Sequence, residues 1–267
     1  MPAKAIFPSA QLQQPSTNKQ AKYLLWTHKV LPALILIACS LLAVSVAGKG
    51  LASAYYFKAN HYLELWQRKP QTLDINSWQQ AEDAIKTAVK HHPDHPHYLL
   101  TQAKINEWAW YNGFKTTDQI AINDQLYQQA ISLRPSWPNA YADYAYYMGI
   151  VNFRVSEAFT ELEKAMKQGP YTVEVFQRAL LISATHWSLL NGKQKADSFR
   201  VLELMIKNSH TSYKQAVQIA KQYKLERPFC IYLRIKKASF QQSIGHRIES
   251  DFCLQPSEKI LTTETLR

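Results

Sequence analysis

One uncharged apolar segment constrains this chain more than any other feature. Residues 30–48 read VLPALILIACSLLAVSVAG and contain no charged side chain. At about 1.5 Å of rise per helical residue, a segment of this length nearly spans the roughly 30 Å hydrocarbon core of a bilayer. Aromatic residues such as Trp26 and Tyr55 flank it, as expected at membrane interfaces. We therefore predict one transmembrane helix over 30–48. No later segment of the sequence is comparably apolar and uncharged.

The distribution of lysines predicts the orientation of this helix. Lys49 and Lys58 follow the segment closely, whereas four lysines precede it: Lys4, Lys19, Lys22 and Lys29. By the positive-inside rule, residues 1–29 form a disordered cytoplasmic tail and the body lies outside. We predict a single-pass protein of the bacterial inner membrane with a periplasmic body. The alternative is a secretory signal peptide cleaved near Ala52–Ala54, although the apolar run is longer than usual for one.

Three segments of the body share one spacing. A small residue is followed four positions later by a larger apolar one, then by Ala after three and by Pro after five more. The three sets are Ala81, Ile85, Ala88 and Pro93; Asn123, Tyr127, Ala130 and Pro135; Ala158, Leu162, Ala165 and Pro170. Small residues permit close helix packing, the larger one fills the groove, and Pro ends the helix. The prolines are 42 and 35 residues apart.

This pattern resembles the second helix of the tetratricopeptide repeat, over residues 78–184. The resemblance implies stacked helix pairs that share one apolar core. An irregular helical bundle is the alternative, and both are all-α. The predicted fold is therefore an all-α chain with a transmembrane helix (30–48), a juxtamembrane helix or linker (49–77), tetratricopeptide-like repeats (78–190), and a helical cap with a C-terminal tail (191–267). Within the cap, 229–235 suits either a strand or a helix, and we favour a helix.

Two groups of aromatic residues are candidate binding surfaces. Trp108, Trp110 and Tyr111 fall in the residues that lengthen the first repeat, which we place in a loop over 107–118. Tyr141 and Tyr144 recur at helical spacing after Pro135. Exposed aromatic rings stack on sugars or anchor protein partners. The plainer interpretation is that these rings pack against the array.

Histidine and cysteine suggest two further features. The segment HHPDHPH (91–97) holds potential metal ligands, but its prolines indicate a turn between repeats, and we predict no metal site. Cys230 and Cys253 are candidates for a disulfide, because a periplasmic body would lie in an oxidising compartment. Two free thiols are the alternative. The third cysteine, Cys39, lies in the apolar segment.

Charge and motif content narrow the function. The formal net charge is +11, and residues 193–247 carry 12 Lys or Arg against three acidic residues. This surface is either simply solvated or contacts anionic lipid or an acidic polysaccharide. Nucleic-acid-binding, nucleotide-binding and hydrolase motifs are absent from the sequence. We therefore expect neither catalysis nor a cofactor, and no nucleic-acid partner.

The architecture also resembles the VpsP type of protein from bacterial exopolysaccharide loci, over residues 78–187. The resemblance implies an accessory role beside the membrane machinery for polysaccharide synthesis or export. The predicted function is a non-catalytic, membrane-anchored scaffold that binds proteins of such a complex. A periplasmic carbohydrate-binding module is the first alternative, and an envelope enzyme acting on glycan or peptide is the second.

Overall fold

The computed structural model describes Trp26 and residues 30–253, and this part of the chain contains helices and turns but no strand. The predicted cytoplasmic tail, apart from Trp26, and residues 254–267 lie outside it. The helices are α1 (Leu31–Arg68), α2 (Ile75–His91), α3 (Pro96–Tyr111), α4 (Asn123–Leu133), α5 (Pro138–Tyr146), α6 (Val155–Gln168), α7 (Val173–Thr185), α8 (Gly192–Asn208), α9 (His210–Gln222), α10 (Glu226–Ile235) and α11 (Gln242–Ile248). The all-α prediction is confirmed.

The chain divides into two compact units, 1–51 and 52–267. In the first unit, the described part of α1 exposes mostly apolar side chains, with Ser40 and Ser45 among them, as far as Ala47. Its length and composition are sufficient to cross a membrane, a criterion that a signal sequence also meets. The second unit, here called the body, contains the remainder of α1 and all later helices.

The body is a series of antiparallel helix pairs. In α3/α4, α5/α6 and α7/α8, the two helices of a pair pack along their length. We call the odd-numbered helices, from α1 to α9, the first helices and the even-numbered ones, from α2 to α8, the second helices. The second helices α4, α6 and α8 each also contact the first helix of the next pair. Among the first helices, α5 packs on α7, and α7 packs on α9. This arrangement, in which first helices line one surface and second helices the other, is the tetratricopeptide-like solenoid predicted from the sequence.

The first helices run parallel to one another, as their contacts show. At the beginnings of α1 and α3 within the body, the rings of Tyr56 and Tyr98 stack with centroids 4.9 Å apart. At the ends of the same helices, Trp66 and Trp108 are 6.0 Å apart. Because beginnings meet beginnings and ends meet ends, the turns inside the pairs all lie along one edge of the body.

The repeat residues predicted from the sequence form the buried seam between helices. Each of the nine small and apolar residues of the three sets is less than 5% exposed. Helix α8 repeats the arrangement with Ser198, Leu202 and Met205, all buried. This fourth copy escaped the sequence pattern because Ser and Met occupy positions at which the pattern expects Ala.

The turn between α3 and α4 corrects one expectation. Trp108, Trp110 and Tyr111 lie in the last turns of α3, not in a loop. The helix ends at Tyr111, Asn112 caps it, and Gly113 follows in the left-handed conformation with φ 73°. Glycine adopts this conformation without a Cβ clash. The residues that lengthen the repeat therefore form the connection 112–122.

The C-terminal end of the body is closed covalently. Cys230 on α10 and Cys253 are joined by a disulfide, with Cα atoms 5.1 Å apart. Beside it, the Tyr213 hydroxyl donates a hydrogen bond of 2.9 Å to Asp251. Residues 229–235 are part of α10, so the preference for a helix over a strand is confirmed.

We predict that Gly169→Ala destabilises the body. A Cβ at this position, which ends α6, would lie 2.6 Å from Cγ of Pro138 at the start of α5 and would also meet Thr172. The proline ring cannot move aside freely, so we expect a loss of about 1–3 kcal/mol in urea denaturation. Gly192→Ala is the control, because nothing lies within 4 Å of its Cβ. Equal stability of the two variants would contradict the packing described.

Candidate binding groove

Three consecutive first helices enclose a groove in the body. Its cavity of about 280 Å³ lies among the body part of α1, α3 and the segment that begins α5. The side chains that line it are mostly polar: Tyr56, Asn60, Leu63, Glu64, Gln67, His97, Leu100, Thr101, Lys104, Trp137, Asn139 and Asp143. We call this surface the first-helix groove.

Several polar groups of the first-helix groove retain hydrogen-bonding capacity. Among the described residues, the side-chain amides of Gln67 and Asn139 have no hydrogen-bond partner. Glu64 is exposed and accepts a hydrogen bond of 2.8 Å from the Asn60 amide. Amides both donate and accept, so the groove suits a ligand that does the same.

The rings of the groove are already packed by protein. The ring centroids of Trp137 and His97 are 4.2 Å apart. The Arg134 guanidinium lies 5.1 Å from the centroid of the Trp137 ring. Tyr56 stacks on Tyr98. The groove therefore offers hydrogen bonds more than open aromatic faces.

An ion triad around the buried carboxylate of Asp143 forms the floor of the groove. Asp143 on α5 lies 2.6 Å from Nζ of Lys104 on α3 and 3.2 Å from Nε of Arg178 on α7. Burial by itself would raise the pKa of Asp143, but the two cations outweigh it and hold that pKa below its usual value. The Arg178 guanidinium also lies 4.3 Å from the centre of the Tyr146 ring. The triad thus fixes three first helices relative to one another.

A second buried carboxyl lies behind this floor. Glu107 on α3 accepts a hydrogen bond from the Tyr127 hydroxyl on α4. Burial raises the pKa of Glu107 to about 7, against the opposing effect of that hydrogen bond. The carboxyl is therefore close to half-protonated near neutral pH, and it contacts neither the groove nor solvent to any large extent.

The aromatic residues singled out from the sequence do not line this groove. Trp108 is half-buried against Trp66, and Trp110 donates a hydrogen bond of 3.2 Å to Thr117. Tyr111 is exposed. As a partner or glycan surface, this cluster offers mainly Tyr111 and the free part of Trp108.

Tyr141 and Tyr144 are buried, which corrects their interpretation as exposed candidates. The Tyr141 hydroxyl donates to the Pro135 carbonyl at 2.9 Å. Tyr144 donates to Asp124 at 2.8 Å and stacks on Tyr127. Their rings stabilise the array and present no free face to a ligand.

His92, His95 and His97 pack on one another at the α2–α3 turn. The ring of His95 stacks on Tyr98 with centroids 3.9 Å apart. Burial lowers the pKa values of His95 and His97. Within residues 30–253, no three His, Cys, Asp or Glu side chains are grouped so that they could hold a metal ion.

The triad was missed in the sequence, although one signal for it exists. Asp143 and Arg178 each follow by eight residues the proline that ends the preceding second helix, Pro135 or Pro170. Opposite charges at equivalent positions of consecutive repeats predict an ion pair between first helices. Lys104 lies outside this register, because it follows Pro93 by 11 residues and so lies about one turn further along its helix.

Comparisons with known proteins show similarity of fold only. No protein-family profile and no curated protein sequence matches the chain. Among solved structures, PilF of Pseudomonas aeruginosa is 15% identical, with a TM-score of 0.46 over 76% of this chain and 85% of that one. PilW, described as a widely conserved type IV pilus biogenesis factor, is 16% identical, with a TM-score of 0.46 over 74% of this chain and 86% of that one.

We predict that Glu107→Gln removes a pH dependence of stability. Folding raises the pKa of this carboxyl from 4.5 to about 7, so its contribution to the free energy of unfolding is largest below pH 4.5. That contribution is lost as the pH rises to about 7. Relative to the variant, the wild-type free energy of unfolding should fall by about 3 kcal/mol between pH 4.5 and 8. Urea denaturation at both pH values measures the difference.

The lowered pKa values of His95 and His97 make the free energy of unfolding rise with pH, opposite to the effect of Glu107. Because both proteins contain these histidines, their effect cancels in the difference between the two free energies of unfolding. Gln retains an acceptor for the Tyr127 hydroxyl, so the variant should fold. Parallel pH profiles for wild type and variant would contradict the burial of an ionisable Glu107.

Proposed function

We propose that this chain is a non-catalytic scaffold whose first-helix groove binds an extended segment of a partner protein. The free amides of Gln67 and Asn139 carry this proposal, because they lie in the same concave surface and have no partner in the described chain. An extended main chain presents alternating N–H and C=O groups that pair with such amides.

The rigidity of the groove supports the same function. The ion triad and the ring contacts hold α1, α3 and α5 in place before any ligand binds. A preformed surface loses little conformational entropy on binding. Glu107 accepts a hydrogen bond from Tyr127, and Asp143 forms an ion pair with Lys104. We therefore assign these two buried carboxyls a structural role, in line with a non-catalytic function.

We further propose that the apolar part of α1 anchors the body at the inner membrane, with the N-terminus in the cytoplasm and the body in the periplasm. The excess of lysine before residue 30 supports this orientation. The anchor would raise the effective concentration of the body near membrane-bound partners. We place these partners in a complex for exopolysaccharide synthesis or export, a role that rests on the sequence resemblance alone.

One observation favours a second candidate, the binding of a polysaccharide. Carboxylate, amide and imidazole groups line the groove, and sugar hydroxyls pair with all of them. The packed rings of Tyr56 and Trp137 argue against it, because they leave little aromatic face for stacking on a sugar.

We predict that a photo-cross-linking residue at position 139 captures a membrane-complex protein in the producing bacterium. The substitution Gln67→Arg, which places a bulky cation in the groove, should reduce the adduct about tenfold, the effect of losing roughly 1.4 kcal/mol of binding. The adduct is measured by immunoblot and identified by mass spectrometry.

Gln129→Arg provides the matched control, since Gln129 is an exposed glutamine on the second helix α4, away from the groove. An adduct that persists in the Gln67 variant would argue against the groove. A protease-resistant adduct containing sugar would favour the polysaccharide alternative.

A further inference from the structure

The turns between successive helix pairs lie together along one edge of the body. Because the first helices are parallel, each first helix begins at this edge and each second helix ends there. The edge comprises the turns 92–95, 134–137, 169–172 and 209, and the segment 236–241 that follows α10. Ala52, at which the body begins, also lies on this edge, so we call it the entry edge.

Contacts between neighbouring turns show that the entry edge is continuous. At the start of the body, the hydroxyls of Ser53 on α1 and Tyr98 on α3 are hydrogen-bonded at 3.0 Å. The rings of His97 and Trp137 join the next two turns, with centroids 4.2 Å apart. The α6–α7 turn meets the start of α5 so closely that a Cβ on Gly169 would lie 2.6 Å from a proline ring.

The end of α10 lies on the same edge, because α10 runs parallel to α8. The Tyr232 hydroxyl on α10 donates a hydrogen bond of 3.0 Å to Glu203 on α8. Further along both segments, Nζ of Lys207 lies 5.2 Å from the centre of the Phe240 ring. Residues 235–237, which lie between these two contacts, therefore belong to the end of the body at which the second helices finish.

The entry edge carries exposed basic side chains without an acidic partner in the described chain. They are Lys90, Arg134, Lys167, Lys236 and Lys237, and none of them forms an ion pair among residues 30–253. Asp94 and Glu174 are the acidic residues in or directly beside the turns of this edge. The edge is therefore positively charged, and its basic groups are available to an anionic ligand.

Exposed apolar and aromatic side chains accompany these charges. Leu133, at the end of α4, is 40% exposed, Tyr171 in the α6–α7 turn is 80% exposed, and Ile235 at the end of α10 is 75% exposed. Basic side chains attract the headgroups of anionic lipids, whereas tyrosine and aliphatic side chains enter the interface below them. This combination of side chains is complementary to the surface of an anionic bilayer.

The covalent connection to the apolar segment keeps the entry edge near any membrane that holds this segment. The segment ends at Gly48, and Ala52 follows four residues later. Four residues span at most about 14 Å in any conformation, whatever the arrangement of the two units. The opposite edge, at which the first helices end, begins at Arg68, roughly 24 Å further along the helix. The entry edge is therefore the one that the chain delivers to the bilayer.

We propose that the entry edge contacts the bilayer that holds the anchor and binds its anionic phospholipid headgroups. This inference depends on the proposed anchoring by α1. An acidic polysaccharide would match the charges, but it would give no role to the exposed Ile235 or to the position of Ala52. The first-helix groove contains none of the basic or exposed apolar residues named for this edge, so it remains available to a partner.

Photo-cross-linking of the full chain in lipid nanodiscs tests the proposal. A photo-cross-linking residue in place of Tyr171 should form a phospholipid adduct in nanodiscs that contain phosphatidylglycerol, measured as an increase in the mass of the intact chain. Tyr111 is the matched control position, because it is 75% exposed but lies at the end of α3, on the opposite edge. We expect about tenfold more adduct at position 171 than at position 111. Nanodiscs of phosphatidylcholine alone should remove most of the difference.

Charge reversal tests the role of the lysines. Lys236→Glu combined with Lys237→Glu should lower the adduct at position 171 about tenfold, because each basic residue strengthens contact with an anionic surface. Lys221→Glu combined with Lys224→Glu is the control, since it changes the net charge equally at exposed lysines of the opposite edge. Circular dichroism shows whether both variants fold. If either unfolds, the comparison of positions 171 and 111 in the two lipid compositions decides instead.

Retention in nanodiscs separates this inference from the anchor on which it depends. A chain that nanodiscs do not retain contradicts the anchor and this proposal together. A retained chain with no phospholipid adduct at position 171, or with equal adducts at positions 171 and 111, overturns this proposal alone. An adduct that is independent of phosphatidylglycerol also overturns it, as does capture of protein or polysaccharide at position 171 in the producing bacterium. Binding at the groove is measured separately, at position 139.

Discussion

The body depends on the ion triad around Asp143. The other contacts between neighbouring first helices include packing of rings and a hydrogen bond of 3.0 Å between the Ser53 and Tyr98 hydroxyls, which permit some sliding. A buried anion shared by Lys104 and Arg178 permits almost none, because displacement of either helix would leave a charge unpaired in a medium of low dielectric constant. The pairs α3/α4, α5/α6 and α7/α8 thereby acquire one fixed register. That register places the groove residues of α3 and α5 on a common surface, and the stacking of Tyr56 on Tyr98 adds those of α1.

The sequence predicted the helical pairs well, for a clear physical reason. Positions such as Ala88, Ala130 and Ala165 must be small because two helices approach closely there, and proline then ends each helix. These are local constraints that appear as spacing. The fourth copy, in α8, escaped notice because Ser198 and Met205 stand where the pattern expects Ala, and Met205 departs from the small residue found in the other three copies. The disulfide partners were also proposed from the sequence, but the compartment, rather than any pattern, suggested them.

The candidate site was much less predictable. Aromatic content drew attention to Tyr141 and Tyr144, yet a ring at helical spacing faces either the core or the solvent according to where neighbouring helices lie. The groove is formed by residues from three helices, and its polar members are ordinary surface types in the sequence.

The covalent closure between Cys230 and Cys253 gives the two ends of the array different mechanical properties. Solenoids unravel from their ends, since a terminal unit has one neighbour instead of two. The disulfide restrains the C-terminal end, so local unfolding of the body should begin with α1 and α2. The groove lies at that same end. A pulling force applied at Ala52, where the body begins, would therefore reach the binding surface before it reached the rest of the array.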